Sequence, residues 1–148
     1  MVRIMFVCHG NICRSPMAEF ILRDMVKKQG REKDFVIASS ATSTEESWND
    51  KGNPVYPPAK AELAKHGISC DGKCAVQLKK SDYEKYDLFI CMDSNNVRNA
   101  IKIFGKDAEG KVQKLLPNKD VADPWYSGNF GITYEDICKG CRLILENY

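Results

Sequence analysis

Residues 2–8, VRIMFVC, form a nearly continuous apolar run with no polar alternation, the pattern of a strand covered on both faces in a parallel sheet. At Pro16 the period changes. Met17, Phe20, Ile21 and Met25 recur at helical spacing, with Ser15 placed to cap and Pro16 in the first turn, where its missing N–H costs nothing. Only HGNICR separates the two, so the chain must turn from buried strand to helix within a few residues.

The remaining sequence repeats that alternation. DFVIASSA (34–41) predicts a second strand, and the polar stretch TSTEESWNDKGNPVYPP after it predicts a long loop. PAKAELAKHG predicts a helix with Pro58 near its start and Gly67 as its stop. SDYE (81–84) has capping-box spacing before a short helical piece, DLFICMD (87–93) predicts a third buried strand, and SNNVRNAIKIF the helix after it. KVQKLL (111–116) predicts a fourth strand. Thr133 and Asp136 offer a capping box for a last helix whose inner face is Tyr134, Ile137, Cys141, Ile144 and Leu145. Strands alternating with helices predict an α/β fold: one three-layer domain over residues 1–148, with a four-stranded parallel sheet and helices on both faces. Ligands in such folds bind beyond the carboxyl ends of the strands, where Cys8 falls.

The HGNICR turn has the chemistry of an anion cradle. A loop leaving a strand and entering a helix can aim successive backbone N–H groups at one point, and the helix N-terminus adds free donors and partial positive charge. Gly10 lets the backbone curl, Asn11 tolerates the left-handed conformation, and Arg14 supplies a planar fork matching two oxygens of a phosphate. The expected ligand is a tetrahedral oxyanion. A sulfur in the same field is favoured as thiolate, the form that attacks, so Cys8 is a candidate nucleophile under a bound phosphate. Alone it would read as a small core residue. The company of Gly10, Asn11, Arg14, Ser15 and Pro16 argues otherwise.

Charge and composition exclude several classes. A formal charge of +2 is too small to argue for nucleic acid or an anionic membrane surface, and no segment approaches the roughly 20 apolar residues of a membrane span. VRIMFVC is too short for a secretory signal, so a cytoplasmic protein is expected. Seven cysteines leave at least one outside any intramolecular disulfide set, as suits a reducing compartment. Cys70, Cys74, Cys138 and Cys141 would suggest a four-thiolate zinc site, but CDGKC lacks the usual two-residue spacing and the second pair falls on the buried face of a helix.

VCHGNICRSPMAEF resembles the signature of the low-molecular-weight protein tyrosine phosphatases, a Cys-x5-Arg-Ser-Pro loop at the amino terminus. The resemblance continues through VIASSATS, KHGI and DLFICMDSNNVR to DPWYSGNF, similar to the family's acid loop. It implies hydrolysis of phosphotyrosine in proteins through a phosphocysteine, with no metal or other cofactor. It implies that Cys8 is the nucleophile, that the backbone of His9, Gly10, Asn11, Ile12 and Cys13 with the Arg14 guanidinium holds the phosphate, and that Ser15 stabilises the Cys8 sulfur. Asp123 matches the general acid, and Trp125 and Tyr126 the walls of the ring slot. Trp48 resembles another aromatic of the wall, Asn11 and His66 a loop-bracing pair, and Ser39 a support of the same network. Cys13 matches the partner thiol that protects the nucleophile from oxidation.

The expected partner is a tyrosine-phosphorylated protein, with no nucleic acid or membrane and a monomer favoured. The family usually has Asp-Pro-Arg where this chain has Tyr56-Pro57-Pro58, and glycine is common where Ser40 stands. Two rivals share the cysteine loop. A thiol-coupled arsenate reductase needs two further cysteines, of which only Cys91 is suitably placed, and a phosphocysteine carrier of a sugar transport system should not want Arg14 or Asp123. A phosphoarginine phosphatase tends to have threonine at the position of Ile12.

Overall fold

A computed structural model describes residues 1–47 and 52–148. Trp48 lies outside the described residues. Four parallel strands, β1 (Val2–Cys8), β2 (Phe35–Ala41), β3 (Leu88–Cys91) and β4 (Val112–Lys114), form one sheet in the order β2-β1-β3-β4. The helices are α1 (Arg14–Lys28), α2 (Pro57–Lys65), α3 (Ser94–Phe104), the single-turn α4 (Pro124–Ser127) and α5 (Phe130–Asn147). The expected four-stranded α/β domain is the observed one.

The unbroken apolar run of β1 has a simple cause: it is a central strand covered on both sides. Ile4, Phe6 and Cys8 join the core under α1, α2 and α5, whereas Met5 and Val7 join a second core with Ala100 and Phe104 of α3. Phe6 on one side and Phe89 on the other are fully buried. Each such side chain contributes roughly 1.5–3 kcal/mol relative to exposure. The register Cys8↔Ala41 on one side and Val7↔Cys91 on the other brings the ends of β1, β2 and β3 together. The loops that follow these strands therefore share one end of the sheet.

Several boundaries differ from the sequence expectation. Helix α1 begins at Arg14, not Pro16, and Ser15 does not cap it, because its hydroxyl is engaged with Cys8. Asn129 caps α5, its carboxamide oxygen accepting from the Ile132 N–H at 3.1 Å, and the expected capping pair is used elsewhere. Thr133 Oγ1 donates to the Ala122 carbonyl at 2.8 Å, and Asp136 accepts from Lys119 Nζ at 2.9 Å. Both residues anchor the loop that ends at Asp123. Residues 80–84 form a 3-10 turn in which Asp82, not Glu84, accepts the capping N–H, that of Lys79 at 2.9 Å. Strand β4 stops at Lys114, although the Leu115 N–H still reaches the Cys91 carbonyl at 2.8 Å.

All seven cysteines are unpaired. Cys70, Cys138 and Cys141 are buried among apolar side chains and Cys74 is exposed. Among the described residues no three His, Cys, Asp or Glu side chains converge as a metal site, and no helix is long and apolar enough to cross a membrane.

Candidate active site

Three donors converge on the Cys8 sulfur at the end of β1. The backbone N–H groups of Asn11 and Ser15 approach Sγ at 3.3 and 3.4 Å, and Ser15 Oγ lies 3.0 Å away. Ser15 Oγ already accepts from Asn11 Nδ2 at 2.7 Å, so its single proton is free for the sulfur. Three donors around one sulfur are placed to stabilise charge that it carries during a reaction.

The loop that supplies these donors is strained and is held by its own side chains. Asn11 has φ 57°, the one positive value outside glycine among the described residues. That conformation costs roughly 1–2 kcal/mol for an L-residue, least for Asn or Gly. The buried Asn11 carboxamide offsets it with three bonds: to Ser15, to Ser39 Oγ at 2.9 Å, and from the Val76 N–H to Oδ1 at 2.9 Å. Gly10 has no positive φ. A Cβ there would sit 3.2 Å from Glu46 Cγ, a tight contact that the Glu46 side chain would have to relieve by moving.

Beneath Asn11 the network continues to residues that sequence reasoning missed. Ser39 Oγ accepts from Asn11 and donates to Glu19 Oε1 at 2.5 Å. Glu19, 3% exposed, also pairs with Arg23 at 2.6 Å and Lys73 at 3.3 Å, and Lys73 Nζ donates to the Ser39 carbonyl at 3.2 Å. Glu19 shares the inner face of α1 with Ser15 four residues earlier, which was a readable signal; nothing local marks Lys73. His66, expected beside Asn11, lies elsewhere. At the C-terminus of α2 it bonds Glu62 one turn back at 3.0 Å and stacks on Tyr134, ring centroids 3.7 Å apart. Helical spacing puts its ring against Glu62 and α5, and the side chains that meet Ser39 are those of Asn11, Glu19 and Lys73.

The floor of the cleft is Arg14, 4% exposed. Nη1 donates to Asp93 Oδ2 at 2.9 Å and to the Val121 carbonyl at 3.2 Å, and Nη2 lies 3.6 Å from Asp123 Oδ2. Burial, the largest influence, opposes the guanidinium charge, yet Cys8, Asp123 and Asp93 together hold the Arg14 pKa above its ordinary value. Asp93 was not expected. It caps α3 through Oδ1 and the Asn96 N–H at 2.8 Å, leaving Oδ2 for Arg14. Its place just beyond β3, beside the end of β1, was the available clue.

Asp123 caps α4, accepting from the Trp125 N–H at 3.0 Å, and its carboxylate faces the same cleft. His9, Gly10, Ile12 and Cys13 line the cleft with Cys8 and Arg14, and Trp125 and Tyr126 flank the mouth, 62% and 87% exposed. The cavity of about 570 Å³ has room for a phosphorylated aromatic side chain. His9 reaches Glu45 across the lip at 3.2 Å. Cys13 is buried, and burial above all, then the neighbouring Cys8, pushes its thiol up to about 12. The site can thus hold a tetrahedral oxyanion over a sulfur, with a carboxyl group at its edge.

The family profile described as low molecular weight phosphotyrosine protein phosphatase matches residues 3–147. The low molecular weight protein-tyrosine-phosphatase YfkJ of Bacillus subtilis is 36% identical, covering 99% of this chain and 96% of its own. The crystal structure of YfkJ superposes with a TM-score of 0.91, covering 99% of this chain and 94% of that one. The low molecular weight phosphotyrosine protein phosphatase of Gallus gallus is also 36% identical, over 97% of this chain and 93% of its own. The crystal structure of the Streptococcus pyogenes low molecular weight protein tyrosine phosphatase gives a TM-score of 0.89 at 36% identity, covering 99% and 93%.

The brace yields a test. Glu19→Gln leaves Lys73 buried without its carboxylate, and urea unfolding should show a loss of about 1–3 kcal/mol. Adding Lys73→Met should recover part of that loss, because the two side chains interact directly. Strict additivity of the two changes would show that the pair is not coupled.

Proposed function

The chain belongs to the low molecular weight phosphotyrosine protein phosphatases, and from that membership we propose that it hydrolyses phosphotyrosine in proteins through a phosphocysteine on Cys8. The observation that carries the mechanism is the convergence of the Asn11 and Ser15 donors on Sγ above the buried Arg14. In the first step the Cys8 thiolate attacks phosphorus and the bond to the tyrosine oxygen breaks. Asp123, protonated, gives its proton to that oxygen. In the second step the Asp123 carboxylate takes a proton from water, the hydroxide oxygen bonds to phosphorus, and Cys8 leaves as thiolate, stabilised by the Ser15 hydroxyl. Backbone N–H groups of residues 9–14 and the Arg14 fork hold the equatorial oxygens throughout. Asp93 keeps that fork aimed into the cleft. No step needs a metal or other cofactor.

Ile12 in the lining and the aromatics at the mouth support a phenyl ring as the leaving group. The arsenate-reductase reading loses support from Cys91, which is fully buried, belongs to the core on the opposite side of the sheet from Cys8, and has its thiol pushed up by burial.

Asp123→Ala should slow hydrolysis of phenyl phosphates with basic leaving groups by roughly 10²–10⁴, and of nitrophenyl phosphate by much less. Steady-state kinetics on both substrates decides this: equal losses would make Asp123 structural. Cys13 remains a protonated thiol beside the nucleophile. After peroxide oxidises Cys8 to a sulfenic acid, condensation with the Cys13 thiol would release water and form a disulfide. Peroxide should therefore inactivate the wild type reversibly and Cys13→Ser largely irreversibly. Equal recovery of both with a thiol reductant would remove that role from Cys13.

A further inference from the structure

We propose that Tyr56 is a positioning residue that holds Trp125 in place as a wall of the substrate slot, coupling the phosphate loop to the acid loop. The idea rests on the phosphatase reading for its kinetic consequence, but its structural basis is independent. Pro57 opens α2 and restricts the preceding residue to extended backbone, and Tyr56 accordingly has φ −55° and ψ 131°. The main chain of Tyr56 is fixed at both ends. Its N–H donates to the Ile12 carbonyl of the phosphate loop at 2.8 Å, and its carbonyl accepts from the Ala59 and Lys60 N–H groups at 2.9 and 3.0 Å.

Only the side chain then remains to be placed, and it lies between two aromatic rings. The Trp125 ring is 5.3 Å away at 52°, and Phe130, the first residue of α5, is 6.2 Å away at 34°. Such tilted pairs are favourable beyond the area they bury. Tyr56 is half-buried against the larger core, so it offers Trp125 a fixed surface. Trp125 needs one: it is 62% exposed and sits in a four-residue helix. The Asp123 carboxylate accepts from the Trp125 N–H, so the carboxylate and the backbone of that turn hold each other without Tyr56, and the ring of Trp125 is what Tyr56 governs. The Tyr56 hydroxyl makes no hydrogen bond to the described residues, so a phenylalanine should serve equally well.

The test compares Tyr56→Ala, Tyr56→Leu and Tyr56→Phe. With phenyl phosphate, KM should rise by about 2- to 10-fold in the alanine and leucine variants, kcat should stay within about twofold, and Tyr56→Phe should match wild type. The Ki of inorganic phosphate, which occupies the floor alone, should not change. A parallel rise of KM and of the phosphate Ki would show that Tyr56 acts through Ile12, and an unchanged KM in the leucine variant would overturn the proposal outright. Acrylamide quenching of Trp125 in a Trp48→Phe background supplies a readout that needs no turnover. Quenching should increase in Tyr56→Leu and not in Tyr56→Phe; identical quenching in both would contradict the proposal even if the chain proved to lack phosphatase activity.

Discussion

A single left-handed residue, Asn11, bends the chain so that backbone donors face the Cys8 sulfur, and the surrounding structure pins it there. An isolated peptide of this sequence would relax, because the strained conformation stabilises nothing by itself. It persists because β2 contributes Ser39, the chain after α2 contributes the Val76 N–H, and α1 contributes Ser15 and Glu19. The ties come from three separate segments, so the loop keeps its shape only when sheet and helices are assembled. Pre-organisation of this kind is what phosphoryl transfer requires, since the protein's part in that chemistry is mainly to place donors and charge where the transition state needs them.

Charge is handled by the same logic of over-determination. A buried guanidinium without partners would cost several kcal/mol, and Arg14 meets two carboxylates and one carbonyl instead. Asp93 and Asp123 differ in what else holds them. Asp93 is committed to both α3 and Arg14, whereas Asp123 is a third exposed, caps a helix of a single turn, and stands farther from the guanidinium. The first suits a fixed support and the second a group that exchanges protons with substrate and water. Thr133 and Asp136 tie the preceding loop to α5, which keeps that second carboxylate at the cleft.

Much of this was legible in the sequence. The apolar run of β1, the helical period after Pro16 and the strand-to-helix switch at 87–104 identified the sheet and its end, and the Cys8-to-Pro16 stretch identified the cradle. What sequence patterns miss is pairing across the fold. The 133/136 spacing looks like a cap, yet the helix starts three residues earlier and both side chains reach the acid loop. The family resemblance assigns His66 to the brace, but helical geometry gives it to Glu62 and Tyr134. Lys73 sits in a loop with no local pattern, and only the assembled structure brings it to Glu19. Tyr56 stood out as a departure from the family, and its contact with Trp125 depends on two loops meeting.

The proposed activity depends on covalent chemistry at Cys8. The most direct measurement is rapid denaturing quench of the enzyme during turnover of a phosphotyrosine peptide, followed by peptide mass mapping. The wild type should carry one phosphoryl group on the peptide containing Cys8, and Cys8→Ser should carry none and turn over no substrate while still binding inorganic phosphate. Continued turnover by Cys8→Ser, or a phosphoryl group trapped on any other residue, would contradict the central claim.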